Sequence, residues 1–106
     1  MTTVIVDSGI CGFSVTITAE KEKGKDKKIR IFIYTECEMV KKMLEDISLV
    51  DIKAVFTGYP DNPVYKSAAM HLKHIACPVP SGILKTIEVE AGLCIPQNAS
   101  IVFLKE

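Results

Sequence analysis

The fold is decided by a change of pattern within residues 29–44, which read IRIFIYTECEMVKKML. Residues 29–34 are β-branched or aromatic at every position except Arg30, a composition typical of strands. Thr35 and Glu38 then have the spacing of a capping box, which marks the start of a helix. Apolar residues follow at helical spacing, namely Met39, Val40, Met43, Leu44 and Ile47. The sequence therefore predicts a strand that leads directly into a helix with Thr35 as its N-cap.

Further strands are predicted on the N-terminal side of this stretch. Residues 13–18 alternate apolar and small polar side chains, which is typical of a half-buried strand. The charged residues 21–28 are interpreted as a loop that joins this strand to residues 29–34 as an antiparallel pair. The β-branched run at residues 4–6 stops at a turn signature and predicts one more short strand.

The second half of the chain is predicted to be mainly helical. Asn62 and Pro63 suit the N-cap and the first position of a helix, and Pro78 ends that helix after Cys77. Its apolar stripe consists of Val64, Ala68, Leu72 and Ile75. Another helix is predicted over residues 83–92, and residues 100–104 are predicted to form a last short strand.

This order of elements predicts an α+β fold. We expect a small antiparallel sheet of about three to four strands packed against three to four helices. Residues 1–106 are expected to form a single domain, because 106 residues with 48% hydrophobic side chains suffice for one core.

The charge balance argues against several classes of partner. Lys and Arg number 13, and so do Asp and Glu, which leaves no electrostatic footprint for nucleic acid or for an anionic membrane surface. No signal peptide or membrane-spanning apolar run is recognisable, so the cytoplasm is the expected compartment and its thiols are expected to be reduced. Glu88 and Glu90 are interpreted as part of a solvated face.

The cysteines are the clearest chemical feature of the sequence. Cys11 is followed by a glycine, Cys37 falls where a strand gives way to a helix, Cys77 lies between two predicted helices, and Cys94 lies between elements. Cysteine thiolates suit tetrahedral zinc or an iron–sulfur cluster, and a helix N-terminus favours the thiolate form. His74 precedes Cys77 by about one helical turn and is a further candidate ligand. No C-x-x-C pair is present, so spacing alone does not select metal binding.

The arrangement of Cys11, Cys37 and Cys77 resembles that of the NifU/IscU-type iron–sulfur cluster assembly scaffolds. The shared features are a glycine after the first cysteine, a second cysteine where a strand leads into a helix, and a third cysteine between later helices. The resemblance covers roughly residues 5–91. It implies an α+β fold in which a small antiparallel sheet precedes several helices, with an iron–sulfur site at the three cysteines.

The chain departs from the pattern of these scaffolds beside each cysteine. Phe13 stands where the family has an aspartate that helps to control cluster release, Glu38 stands where it has glycine, and Ala76 stands where it has histidine. The missing aspartate and the additional Cys94 favour a stably held metal over a transferable cluster.

Three functions are compatible with the sequence. In the first, the protein binds zinc or an iron–sulfur cluster and is not a turnover enzyme. Cys11, Cys37 and Cys77 then converge at one end of the sheet, with Cys94 or His74 as the fourth ligand. In the second, it is a thiol-redox or sulfur-carrier protein with Cys37 or Cys77 as the reactive thiolate. In the third, it is a non-catalytic interaction module whose cysteines only pack, and an exposed sheet edge or helix face binds a protein partner or forms a homodimer.

Overall fold

The structure, a computed structural model, describes residues 1–24 and 27–105. Within these residues the chain forms four strands and three α-helices: β1 (Thr2–Asp7), β2 (Ser14–Lys21), β3 (Lys28–Thr35), α1 (Glu38–Ile47), β4 (Leu49–Asp51), α2 (Pro63–His71) and α3 (Val79–Glu90). Gly9–Cys11 and Ile52–Val55 form 3-10 turns. The predicted α+β fold class is confirmed. The loop predicted over residues 21–28 includes residues 25 and 26, which lie outside the described residues.

The sheet is antiparallel throughout, with its strands in the order β1-β2-β3-β4. Because side chains alternate between the faces of a sheet, one face carries the buried aliphatic residues of β2 and β3. The register places Ile5, Thr16 and Tyr34 in one row on the opposite, open face, where Ile5 and Tyr34 are exposed. In β2, the alternation of apolar and polar residues in the sequence therefore corresponds to side chains that point in turn to the core and to the open face of the sheet.

Two of the α-helices pack against the same face of the sheet. α3 lies on β1 and β2, α1 lies on β3, and α2 packs against α1 and α3. The fully buried side chains at the centre of this layer include Ile17, Ile29, Met43, Ile83 and Ile87. No α-helix of residues 1–24 and 27–105 has the length and apolar character that crossing a membrane requires.

α3 runs antiparallel to β1, and two contacts establish this direction. Gly82, in the first turn of α3, lies so close to Val6, near the end of β1, that a Cβ on Gly82 would overlap the Val6 side chain. At the other end of α3, the Glu90 carboxylate accepts a hydrogen bond from the Thr2 hydroxyl at 2.7 Å. The residues before α3 therefore lie near the end of β1, and the residues after α3 lie near its start.

The predicted capping box at the start of α1 is wrong. Cys37, and not Thr35, occupies the N-cap position. Thr35 is instead the last residue of β3 and is buried; its hydroxyl accepts a hydrogen bond from the Cys37 N–H and donates one to the Ser14 carbonyl, each at 3.1 Å. The N–H that the Thr35 hydroxyl binds belongs to Cys37, which precedes α1, so this bond caps no N–H group of the helix itself.

The helix predicted from Asn62 begins as expected but ends earlier. The Asn62 side chain accepts hydrogen bonds from the N–H groups of Val64 and Tyr65, which is the predicted cap. α2 then ends at His71, so Ile75 does not continue the apolar stripe and is fully exposed. The following helix begins at Val79, four residues before its predicted start.

The last predicted strand, at residues 100–104, is wrong. This segment forms no strand, and its apolar side chains are 73–95% exposed. A segment forms a strand only when a neighbouring strand exchanges backbone hydrogen bonds with it. The composition of residues 100–104 is typical of a strand, but it does not reveal whether such a neighbour is present.

Candidate thiol site

Cys11 lies in a tight turn between β1 and β2. Gly9 and Gly12 flank it with φ angles of 82° and 75°, values that glycine adopts without strain. The Ser8 N–H donates to the Phe13 carbonyl at 3.1 Å and closes the turn. The Cys11 side chain is exposed at the tip of this turn.

Cys37 lies at the junction of β3 and α1, beside the start of β2. Its side chain is buried at 8% exposure, and its position is fixed by the Thr35 hydroxyl described above. Because Thr35 also binds Ser14, which follows the Cys11 turn by two residues, the turns of Cys11 and Cys37 lie at the same end of the sheet.

Cys77 precedes α3 by two residues and is partly buried. Its thiol accepts a hydrogen bond from the N–H of Val79, the first residue of α3. Because the start of α3 lies against the Val6 end of β1, Cys77 is placed near the turn that contains Cys11. We call this end of the sheet, where Cys11, Cys37 and Cys77 lie, the thiol end.

The surroundings of Cys77 raise the pKa of its thiol. Burial raises the pKa of the Cys77 thiol above its ordinary value, and the hydrogen bond from Val79 acts in the opposite direction. Negative charge on Cys37 and on Cys11 raises the pKa of Cys77 further. Charge on Cys37 and on Cys11 acts on Cys77, so each of these two cysteines lies within electrostatic range of Cys77.

Cys94 and His74 are placed differently. Cys94 is exposed and follows α3, whereas Cys77 precedes it, so about 18 Å of helix separates them at 1.5 Å per residue. Its thiol donates to the Ile95 carbonyl at 3.6 Å. His74 lies in the exposed turn before Cys77, and its carbonyl accepts a hydrogen bond from the Cys77 N–H at 3.2 Å. His74 therefore lies beside Cys77, whereas Cys94 lies beyond the other end of α3.

The thiol end is not a closed ligand set. Among residues 1–24 and 27–105, no three cysteine, histidine, aspartate or glutamate side chains have an arrangement that could hold a metal ion. The cysteines are neighbours, but they do not surround a common point.

The opposite end of α3 carries a polar cluster that the sequence analysis missed. Glu90 was interpreted as solvated, but its side chain is only 10% exposed and accepts hydrogen bonds from the Thr2 hydroxyl and the Lys21 N–H. The amino group of Met1 lies 3.2 Å from the same carboxylate. Burial acts to raise the pKa of Glu90, but these partners together hold it below its ordinary value. We call this end of α3 the Glu90 end.

A second missed cluster joins α1 to α2. The Asp46 carboxylate accepts hydrogen bonds from the Ser67 hydroxyl at 2.7 Å and pairs with His71 Nε2 at 2.9 Å. Ser67 is buried and also contacts the Met43 carbonyl at 3.4 Å. The serine is thus bound to the carboxylate and not to the histidine, so the trio fixes two helices and does not form a nucleophile–base pair. Only the folded chain reveals it, because Asp46 is 21 residues from Ser67.

Comparison with known proteins places the chain in a family. A family model matches residues 2–103, which is nearly the whole chain. The chain belongs to DUF6951, a family of unknown function. The thiol end and the Glu90 end of this DUF6951 protein both lie within the matched residues. Neither the curated proteins nor the solved structures contain a match to it.

Proposed function

We propose that this protein binds a thiophilic metal, zinc or an iron–sulfur cluster, through Cys11, Cys37 and Cys77. The observation that carries the proposal is the convergence of three cysteines from three separate turns at one end of the sheet. Cysteines that only fill a core are usually surrounded by apolar side chains. Here Cys11 is exposed and Cys77 is partly exposed, so two of the thiols can be reached from solvent.

The donor set fits such a metal in kind. Three thiolates at one place repel one another, and a cation removes that repulsion while it replaces the protons. Cys37 is the N-cap of α1 and Cys77 precedes α3, so backbone N–H groups at two helix N-termini also favour negative charge there.

Closure of the ligand set requires a movement of Cys11. Its turn is flanked by glycines, and no atom lies within 4 Å of the position that a Cβ would take on Gly9 or Gly12. Cys37 and Cys77 are held by the starts of α1 and α3. The exposed turn is therefore the element that we expect to approach the other two thiols on binding.

His74 is the better candidate for a fourth ligand within this chain. It lies one turn before Cys77, whereas Cys94 follows the far end of α3. The relationship to NifU/IscU-type scaffolds stays a prediction. Because Phe13 stands in place of their aspartate, we propose a stably bound metal and not a transferable cluster. We place the protein in the cytoplasm, where its thiols stay reduced.

The test is the metal and acid-labile sulfide content of protein purified without oxygen or chelators, together with its absorption spectrum. We expect near-stoichiometric zinc or iron in the unaltered protein and in the Cys94→Ser control. Cys37→Ser and Cys77→Ser should each lose most of it, and His74→Ala should weaken binding. Full occupancy in every single variant, or a metal-free unaltered protein after incubation with zinc or ferrous iron and sulfide, would contradict the proposal.

A thiol-redox or sulfur-carrier function receives less support. A reactive cysteine needs a lowered pKa so that it is a thiolate at neutral pH. Burial and the neighbouring thiols instead raise the pKa of Cys77. The same raised pKa makes metal binding by this thiol stronger at alkaline pH, since the bound proton must leave first.

A further inference from the structure

The tail, residues 93–105, contains an apolar segment without a partner. Ile101, Val102, Phe103 and Leu104 are 86%, 73%, 95% and 86% exposed. They follow one another without a charge or a proline, and β-branched and aromatic residues of this kind favour strands. Four such residues in a row are rarely left in solvent, because the burial of large apolar side chains is favourable.

The sheet of the same chain has an edge without a partner. β1 pairs with β2 on one side, and on its other side no described residue forms a strand. β1 is six residues long and carries Ile5, which is 71% exposed, on the open face of the sheet. A long edge strand with an apolar side chain readily accepts another strand.

The two features match one another. Ile101 and Phe103 would lie on one face of a strand, and Val102 and Leu104 on the other. A strand with two apolar faces needs cover on both sides. The outer edge of β1 offers this, because α3 packs against one face of β1 and Ile5 lies on the other.

The tail does not reach the β1 edge of its own chain. Cys94, Ile95 and Gln97 line a shallow groove together with Lys85 and Glu88 of α3. Those two residues lie on the side of α3 away from Ile83 and Ile87, which face the sheet and are fully buried. The first residues of the tail therefore lie on the side of α3 that faces away from the sheet, and residues 100–104 form no strand with it. Residues 93–99 span up to about 25 Å when extended, enough to reach a neighbouring molecule.

We propose that this protein forms a two-fold symmetric dimer in which residues 100–104 of each chain add a strand to the outer edge of β1 of the other. In a dimer with a two-fold axis, the tail segment and the β1 edge of each chain both gain a partner. Exchange of an identical segment is a common route to homodimers. Strand addition supplies backbone hydrogen bonds along the edge and pockets for alternate side chains. This dimer is independent of the proposed metal, because the tail and the thiol end share no residue.

The test is sedimentation equilibrium of the full chain with reductant and chelator present, so that neither disulfides nor metal ions can link two molecules. The full chain and the Lys105→Gln control should be dimers at micromolar concentrations. Phe103→Asp should raise the dimer dissociation constant at least roughly 100-fold, because each dimer buries two copies of this side chain. A chain truncated after Ala99 should be a monomer with an unchanged circular dichroism spectrum in the far ultraviolet.

Hydrogen exchange of the backbone amides identifies the contact. In the dimer, the amides of residues 101–104 and the outward amides of β1 should exchange slowly, and truncation should remove the protection of β1. Three results overturn the proposal: a full chain that stays monomeric at several hundred micromolar, a truncated chain that still dimerises, or a dimer whose β1 amides exchange as fast as in the truncated monomer.

Discussion

At one end of the layer formed by α3, β1 and β2, a single carboxylate of α3 binds groups of two other chain segments, whereas at the other end three cysteines lie on three separate turns. Glu90 binds the start of β1, the end of β2 and the N-terminal amine, and its side chain is nearly buried. Among the residues that the structure describes, Cys11, Cys37 and Cys77 do not form a group that could hold a metal ion.

The two ends of this layer differ in the kind of chemical groups that meet there. At the Glu90 end, opposite charges and hydrogen-bond donors meet an acceptor, so the contacts satisfy one another and stabilise the fold. At the thiol end, groups of the same kind lie near one another, and negative charge on Cys37 or Cys11 raises the pKa of Cys77. In the function proposed above, a bound cation would remove this unfavourable effect.

The largest expected effect comes from breaking the Glu90 end. Glu90→Ala leaves the Thr2 hydroxyl and the Lys21 N–H without their acceptor and should lower the free energy of unfolding by about 1–3 kcal/mol. Glu88→Ala, two residues earlier on α3, is the matched control and should change it by no more than about 0.5 kcal/mol. Urea denaturation measures both, and equal losses would show that Glu90 has no special role.

A smaller effect is expected from the polar contact that holds the thiol end together. Thr35→Val removes the hydroxyl that joins Cys37 to Ser14 and should cost about 1–2 kcal/mol, with faster alkylation of Cys37. Thr16→Val, on the open face, serves as the control for the change in side-chain type. If Cys37 is alkylated at the same rate in both variants, Thr35 does not position it.

The pH dependence of stability sharpens the comparison further. The lowered pKa of Glu90 means that its contribution to stability is fully present above the ordinary value of 4.5 and is lost as the pH falls through the lowered folded-state value. The difference in unfolding free energy between the unaltered protein and Glu90→Ala should therefore shrink below pH 4.5. A difference that is constant from pH 7 to pH 3 would mean that the charge of Glu90 is not involved.

The smallest effect concerns the rates at which the thiols react. Cys77 should react with iodoacetamide more slowly than the exposed Cys94 near neutral pH, because burial and the neighbouring thiols raise its pKa. The two rates should approach each other as the pH rises and Cys77 ionises. Mass spectrometry of the alkylated peptides gives both rates. Faster alkylation of Cys77 than of Cys94 at pH 7 would support the thiol-redox function instead.

The sequence was most informative where structure depends on neighbouring residues. The alternation at residues 13–18 and the β-branched and aromatic composition of residues 29–34 predicted β2, β3 and their antiparallel pairing, because these patterns are local. The side chain of Asn62 caps α2 as predicted, because capping acts over two or three residues. The convergence of Cys11, Cys37 and Cys77 on a shared metal site stays a prediction.

The sequence did not reveal interactions between residues that lie far apart along the chain. Glu90 lies 88 residues from Thr2, and nothing in its local sequence distinguishes it from Glu88. Thr35 has the spacing of a capping residue, but its hydroxyl donates a hydrogen bond to the carbonyl of Ser14 on the neighbouring strand. The segment at residues 100–104 has the composition of a strand, but composition does not supply a pairing edge.

The contact between Gly82 and Val6 has a consequence for sequence variation in this family. A Cβ on Gly82 would overlap the Val6 side chain and lie 3.5 Å from Cδ1 of Ile17. The packing of α3 on the sheet therefore leaves no room for a side chain at position 82. A larger residue at position 82 is tolerated only with a smaller one at position 6. In relatives that keep this fold, the two positions should therefore covary, and a lone substitution at either one would shift α3 and with it the start of the helix beside Cys77.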